Sequence, residues 1–518
     1  MPDASGFTIS ETKPLIRIAA GKIDILTDEA EDALLTAGAE VFQRAEHLVR
    51  PGYHEVSAAD GRTTIAAGLH ALKQPALIEE LARVAEWQAY DGRLKDWKKI
   101  DPPSSIAGIL AARVGRWRLR SVAAITTCPT LRPDGTVLSE PGYDAVTRIY
   151  HMPGSGLRLP ALAPRPTQED AKAAAGLLLD LLAGFPLVTD ADKAVALSLI
   201  VSAVVRGALG MVPVHAFTAP TPGTGKSYIA DVTAAVISGR WCPVITPGRT
   251  EEELEKRLGA MLLAGYPIIS LDNISNGLSG DALCQIAERP TVRIRILGKS
   301  ETPECEFRGI IIANGNNLAV IGDMTRRVIL GNLDAQVERP EERQFTFDPV
   351  QRVLADRGRY IAAAMTIVRA YLAAGQPDKR PVLASYAAWS DMVRSALVWA
   401  GCGDPVETMK VIRDTDPVLT TLRTVLECWR DAFGAEGKTA AEVAALYAGG
   451  FDPEGSEGEA LTALRAALAP VAAVRNIIDS GRLAYWLRAS KGRPAGKLKF
   501  TGAPGHGGAL RWSAVDAQ

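Results

Sequence analysis

The run Ala219-Pro220-Thr221-Pro222-Gly223-Thr224-Gly225-Lys226-Ser227 gathers the residue types that grip phosphate. Gly223 and Gly225 let consecutive backbone N–H groups curl around anionic oxygens, and a helix opening at Lys226 adds the positive end of its dipole. The Lys226 ammonium is placed to reach the β and γ phosphates of ATP, and the Ser227 hydroxyl to ligate Mg²⁺. Pro222, Thr224 and Tyr228 complete the stretch expected to line the nucleotide. Pro220 replaces the first glycine of the GxxxxGKS pattern. That position needs a turn more than a phosphate contact, so the cradle is expected to survive.

A metal-bound triphosphate needs a second acid, and Pro267-Ile268-Ile269-Ser270-Leu271-Asp272-Asn273 offers one. An apolar strand ending in Asp is the Walker B arrangement. It is expected to lie buried beside the P-loop strand, with Asp272 facing the metal. Many such ATPases carry Glu as general base at the next position; here it is Asn273, which cannot accept a proton. Either Asp272 orients the attacking water with help from Glu252, Glu253 or Asp281, or hydrolysis is slow. A third apolar run ends Ala313-Asn314-Gly315-Asn316-Asn317. An amide at that tip can hold water against the γ-phosphate, with Asn316 the first choice and Asn314 the second. Arg326 and Arg327 come shortly after and would reach a neighbouring subunit's γ-phosphate as arginine fingers.

These groups need a scaffold of strands alternating with helices, which indicates a parallel α/β sheet. The runs VPVHAFTAP, CPVIT, YPIISLD and RGIIIAN read as its strands, and SYIADVTAAVIS as the helix after the phosphate loop. Ala194 to Val205 is the most apolar stretch, too short to span a bilayer and expected to be a buried helix. Before the sheet, LIRIA, KIDIL and HLVRP read as strands, Gln74 to Tyr90 as an amphipathic helix, and Ser104 or Ser105 as the N-cap of a second helix. The expected domains are an α+β region over 1–165, the ATPase core over 166–345, a helical lid or linker over 346–425 and a final domain over 426–518.

With 518 residues, a formal net charge of −1 and six cysteines without a CxxC pair, the chain is expected to be multidomain. The same features suggest a reducing, cytoplasmic setting with no membrane partner. No global basic field pulls in nucleic acid, so DNA must be held by local patches. Thr291 to Ser300 alternates basic and apolar residues and turns at Gly298; Arg295 and Lys299 are candidate strand contacts, with a plain solvated face the competing reading. Near the C-terminus, Ser480-Gly481 is expected to cap a helix that precedes two strands around a Gly-rich turn, a winged-helix signature. Arg488, Lys491, Arg493 and Lys497 supply a local cationic excess suited to phosphate contacts, alongside Arg482, Lys499 and Arg511. A protein-binding winged helix is the alternative. Trp486 and Trp512 are expected in its core. No acidic cluster with a nearby His suggests primer synthesis, so a primase would be a separate partner.

Taken in this order, the phosphate loop, the aspartate strand, the asparagine tip and the trailing arginines resemble an AAA+ ATPase over about Ala171 to Arg343. The compact spacing resembles superfamily 3 helicases. The phrases TLRPDGT, GYD, APTPGTGKS, SLDN, ANGNNLAVIGDMTRRV and ERPEERQF resemble phage and prophage primase-helicase ATPases. The resemblance implies an AAA+ P-loop core with a C-terminal winged helix. It also implies Mg²⁺-ATP at subunit interfaces and a homo-oligomeric ring, usually hexameric, that pulls single-stranded DNA. In those helicases a basic hairpin tip in the ring channel touches DNA, which would be the role of Arg295 and Lys299. A rival reading is an ATP-binding origin-recognition or scaffold protein assembling on duplex DNA without unwinding; a third is an AAA+ remodeller or defence ATPase.

Overall fold

Thr167 and Thr189 each accept a hydrogen bond from the backbone three residues on, while Asp170 and Asp192 return one. These capping boxes start the helices Gln168–Leu182 and Asp190–Val204. The second is the apolar stretch expected to be buried, and from Ala194 to Val204 every residue is buried. Its serines find partners inside: Ser198 Oγ lies 3.1 Å from His215 Nε2, and Ser202 accepts from the Trp389 indole at 2.9 Å. Among the described residues no helix is long and apolar enough to cross a membrane.

The computed structural model describes residues 13–154, 156–246, 248, 250–275, 277–294, 302–448, 456–505 and 508–517. Two compact units are present, one of Met1–Leu318 with Arg326–Met409, the other of Ala319–Thr325 with Lys410–Gln518. In the first, five strands run parallel in the order Val244–Ile245, Ile268–Leu271, Ile310–Asn316, Val214–Ala219, Val328–Asn332. Parallel sheets are covered on both faces, so their strands are near-continuous apolar runs. The asparagine strand lies between the aspartate strand and the P-loop strand, which were expected side by side. It is buried from Ile310 to Gly315, as a strand with neighbours on both sides must be. Val328–Asn332, not read from the sequence, flanks the P-loop strand on its other side. Asp192 anchors its end, accepting from the Asn332 backbone and side-chain amides at 2.8 and 3.0 Å.

The N-terminal part of this unit has its own small sheet. Leu15–Ile18 pairs in parallel with Glu86–Asp91, which pairs antiparallel with Asp96–Ile100. Its inner face (Ile16, Trp87) packs with Leu34, Leu77, Leu81 and Leu110 from the helices Ile23–Thr36, Gln74–Val84 and Ser104–Ala112. The amphipathic pattern from Gln74 therefore gives way to strand after Val84. KIDIL, expected as a strand, is the opening of the first helix. Ile23 and Ile25 face outward and Leu26 turns inward, the start of a helical rather than alternating period. The third helix begins at Ser104 itself, with Pro103 before it and no side-chain cap.

A long hairpin, His47–Ser57 with Thr63–Ala71, joins this part to the parallel sheet. The join is fixed by Arg44, buried at 6% exposure. Its guanidinium donates to the carbonyls of Leu262 and Leu263, where the helix Glu251–Ala264 ends, and to those of Val122, Ala123 and Glu306. Burial pulls its pKa down, but an arginine stays charged and can serve all five acceptors at once.

In the second unit, helices Pro417–Phe433, Ala440–Leu446, Ser456–Ala472 and Ser480–Ser490 precede an antiparallel hairpin, Leu498–Pro504 with Leu510–Asp516. Lys438 bridges Trp512 as a further antiparallel contact. Trp429, Phe500 and Trp512 fill the core, and Trp486 packs edge-on against Phe500. The last helix is capped by Asp479, which accepts from the Arg482 amide, rather than by Ser480 or Gly481.

Arg44→Ala removes the guanidinium donor from five carbonyls, of which that of Leu262 keeps the Gly265 amide at 3.0 Å. It is expected to destabilise the first unit by about 3 kcal/mol or more. Arg44→Lys should rescue little, since an ammonium cannot span the same acceptors. Thermal and urea melts check this; a melting point within a degree of wild type would contradict it.

Candidate nucleotide-binding site

The P-loop strand Val214–Ala219 delivers the chain to a tight turn, and the helix Lys226–Ser238 starts directly after it. Gly223 and Gly225 have φ of 76° and 97°, the left-handed region that L side chains avoid. A Cβ on Gly223 would come within 2.9 Å of the Glu341 carboxylate, and one on Gly225 within 3.2 Å of the Phe185 ring. Conformation therefore calls for glycine at both positions, and a Cβ at either would press on a neighbouring side chain. Pro220 sits within the loop without disturbing the helix start.

Lys226 is nearly buried. Its ammonium donates to the Thr221 carbonyl at 3.2 Å and to Thr224 Oγ1 at 3.1 Å, so the loop's own oxygens hold the cation. Burial lowers its pKa, and the Asp272 charge works in the opposite direction. Ser227 Oγ donates to Asp272 Oδ1 at 2.9 Å across the intervening strand. Asp272 follows the last residue of its strand, its backbone N–H donating to the Ile245 carbonyl at 3.0 Å. Asn273 has φ of 59°, a conformation in which Asn is several-fold favoured over Glu. The absence of Glu at this position thus coincides with a backbone that favours Asn over it.

The asparagine strand ends level with the phosphate loop, Asn316 standing opposite Ala219 in the register. Asn316 is exposed there. Asn314, two residues back, is buried and donates to Ser270 Oγ at 3.4 Å, so it belongs to the sheet interior. The two arginines part company. Arg327 is buried at 4% exposure and ion-paired with Glu288 of its own chain, whereas Arg326 is exposed. Of the two arginines expected to act in trans, Arg326 is the more accessible. Of the acids considered for water activation, Glu253 pairs with Arg257, and the Asp281 backbone N–H donates to Glu251 Oε1 at 2.7 Å.

Tyr228 is engaged with protein groups. Its hydroxyl donates to Asp348 at 2.5 Å and its ring lies 6.4 Å from Phe185 and 6.3 Å from Trp241. Phe185, Glu341 and Asp231 are the residues sequence reasoning missed. Only Glu341 lies in a phrase that carries the family resemblance, ERPEERQF. Asp231, one helical turn beyond Ser227, is buried. It accepts from the Cys242 amide at 3.0 Å and pairs with Arg62 of the long hairpin at 3.4 Å. Burial raises its pKa to about 6 in spite of both partners.

Arg295 and Lys299 lie outside the described residues. The arms leading to them do pair, Thr291–Arg293 antiparallel with Glu304–Glu306. In the second unit Arg488, Lys491, Arg493 and Lys497 are all exposed. Arg511 instead pairs with Glu442 at 3.0 Å.

No family model matches the sequence, and no curated protein does. Among solved structures, the chain is similar to an apo structure of the C-terminal region of NrS-1. That match has 12% identity and a TM-score of 0.37, covering 94% of this chain and 99% of that one. A second apo structure of the same region matches at 11% identity and a TM-score of 0.36, covering 94% and 98%. A JCV helicase bound to a thiazolopyridine-containing acetamide matches at 12% identity and a TM-score of 0.20, covering 50% of this chain and 71% of that one. The functional reading rests on the site's own residues.

Gly223→Ala is expected to weaken ATP binding about 5- to 30-fold, the cost of a left-handed L residue being about 1–2 kcal/mol. Titration calorimetry checks this, and an unchanged affinity would contradict the conformational requirement. Asp231 gives a pH signature. Between about pH 4 and pH 6 the folded state keeps a proton that the unfolded state has released, so its contribution to stability falls as pH rises through that window and is flat above it. The melting-point difference between wild type and Asp231→Asn should move against wild type over that interval; a difference independent of pH would refute it.

Proposed function

We propose that the chain is an ATP-dependent DNA helicase or translocase of a phage-like replication system, working as a homo-oligomeric ring, a hexamer, on single-stranded DNA. One observation carries the reading: the Ser227–Asp272 hydrogen bond brings the two oxygen ligands together at the strand ends on the side of the sheet toward which the asparagine strand runs out to Asn316. A hydroxyl and a carboxylate are the hard donors that Mg²⁺ takes. The glycine turn, whose Cβ positions abut other side chains, fits a phosphate cradle. Bound Mg²⁺-ATP would supply the phosphoanhydride bond whose cleavage drives movement.

The chain's own residues divide the remaining work. Lys226 exchanges the Thr221 and Thr224 oxygens for phosphate oxygens. Pro222, Gly223, Thr224 and Gly225 shape the loop that aims the backbone donors. Asp272 and Ser227 release one another to hold the metal and its waters. Asn316 orients the attacking water, and Arg326 enters the site of the adjoining protomer to neutralise developing charge. With Asn273 unable to take the water's proton, turnover is expected to be slow. The exposed Arg488, Lys491, Arg493 and Lys497 offer phosphate contacts in the second unit, and Arg295 and Lys299 would add contacts between the paired arms. A primase would act as a separate chain.

The same Asn273 favours a second reading, an ATP-binding origin-recognition or scaffold protein that assembles on duplex DNA. A tailed-duplex unwinding assay separates the two. The motor reading expects ATP-dependent unwinding that disappears in Lys226→Ala. Arg326→Ala should cut hydrolysis about 10³-fold while nucleotide still binds, because it acts on a neighbour's site. Mixing inactive Lys226→Ala chains with Arg326→Ala chains should restore part of the activity through mixed interfaces. Duplex binding without turnover would favour the scaffold and overturn the motor.

A further inference from the structure

The small N-terminal sheet covers helices with one face and, among the described residues, leaves the other open. Arg17 stands opposite Gln88, Gln88 opposite Lys99, and Tyr90 opposite Trp97, so these side chains share the outer face. The inner face is closed, with Ile16 and Trp87 in the core. On the outer face the Tyr90 and Trp97 rings meet edge to face, centroids 5.7 Å apart at 69°. The Arg17 guanidinium lies 4.8 Å over the Trp97 ring. Tyr90 is 55% exposed. The pair stands beside the turn of the outer hairpin, with Tyr90 exposed and Trp97 half-buried under Arg17, and apolar ring area left in water is gained back when a ligand covers it.

The charges around the rings indicate the ligand. Arg17 and Lys99 flank them, and Arg93 and Lys95 stand exposed on the turn joining the central strand Glu86–Asp91 to the edge strand Asp96–Ile100. The nearby acids are largely engaged. Asp91 accepts from the Arg93 and Leu94 amides, Asp96 from the Trp97 amide, and Glu86 lies 3.9 Å from Lys99. A partner that stacks flat rings and carries a negative backbone matches this pattern. An acidic protein surface would use the cations but not the open ring faces. Single-stranded nucleic acid uses both, since every base has a π face and every linkage a phosphate.

We propose that the outer face formed by Arg17, Tyr90, Trp97 and Lys99 binds single-stranded nucleic acid, with bases stacked on Tyr90 and on the Trp97–Arg17 pair and phosphates held by Arg17 and Lys99. This site lies apart from the phosphate loop and does not depend on nucleotide.

The test uses the full chain without ATP. Fluorescence anisotropy with labelled oligothymidylate and oligouridylate, in parallel with ultraviolet crosslinking mapped by mass spectrometry, reads both affinity and location. Crosslinks are expected within Glu86 to Ile100. Tyr90→Ala and Trp97→Ala should each weaken binding about 5- to 100-fold, the worth of one base–aromatic stack. Arg17→Glu with Lys99→Glu should weaken it further and flatten its salt dependence. Tyr90 is the more exposed ring, so Tyr90→Ala with an unchanged melting curve answers any concern that Trp97→Ala unfolds the sheet. Tighter binding of oligothymidylate assigns DNA, tighter binding of oligouridylate assigns RNA, and equal binding assigns either strand. Wild-type affinity in Tyr90→Ala and in the charge-reversed variant, or crosslinks confined to other segments, would overturn the proposal. Lys226→Ala should bind the oligonucleotides as wild type does, so a failure of the ATPase reading leaves this result standing, and the reverse.

Discussion

The hydrogen bond from the Ser227 hydroxyl to the Asp272 carboxylate is the contact on which the candidate site depends. It joins the start of the phosphate-loop helix to the end of a strand two places away in the sheet. It therefore exists only if the parallel register is kept. A one-residue slip of the asparagine strand would carry Asn316 past Ala219 and send its side chain to the opposite face. Carboxylate and hydroxyl meet because the aspartate and P-loop strands both end on the same side of the sheet, while the asparagine strand runs three residues past the Leu271–Ala313 pairing and carries Asn316 level with Ala219. The chemistry is a property of the sheet edge rather than of any one motif.

Around that edge, several charged groups are held by partners that can be exchanged. Lys226 rests on neutral loop oxygens, and Glu341 packs against Gly223 from the turn Pro340–Glu342. A carboxylate beside a loop that holds the Lys226 cation and a helix N-terminus is favoured; beside a triphosphate it would be repelled. The turn bearing Glu341 is thus the part of the first unit most directly exposed to the charge state of the loop. Arg343, just after it, already reaches the Gly184 carbonyl at 2.9 Å, next to the Phe185 ring that covers Gly225. The loop is bordered on both sides by groups whose placement the nucleotide's charge would influence.

Much of the site was legible because its residues are close in sequence. Glycine, lysine and serine in one turn announce their chemistry through spacing alone, and four of the five strands showed as apolar runs. Strand order was not legible, because nothing local in YPIISLD or RGIIIAN says which of them neighbours the P-loop strand. Val328–Asn332 escaped because it comes after the arginine pair with no helical pattern between it and the preceding strand. KIDIL misled because five residues are too few to separate a helical period from an alternating one, and Ile23 and Ile25 happen to alternate. The separate fates of Arg326 and Arg327 depend on Glu288, a residue distant in the chain that no spacing rule picks out.

Arg44 has a consequence for how the protein comes into being. Its acceptors include the carbonyls of Leu262, Leu263 and Glu306, hundreds of residues downstream. During synthesis the guanidinium must wait, hydrated, until the ribosome has released the middle of the chain, and only then can the first hundred residues lock onto their later-made acceptors. The amino-terminal portion is made early and finished late.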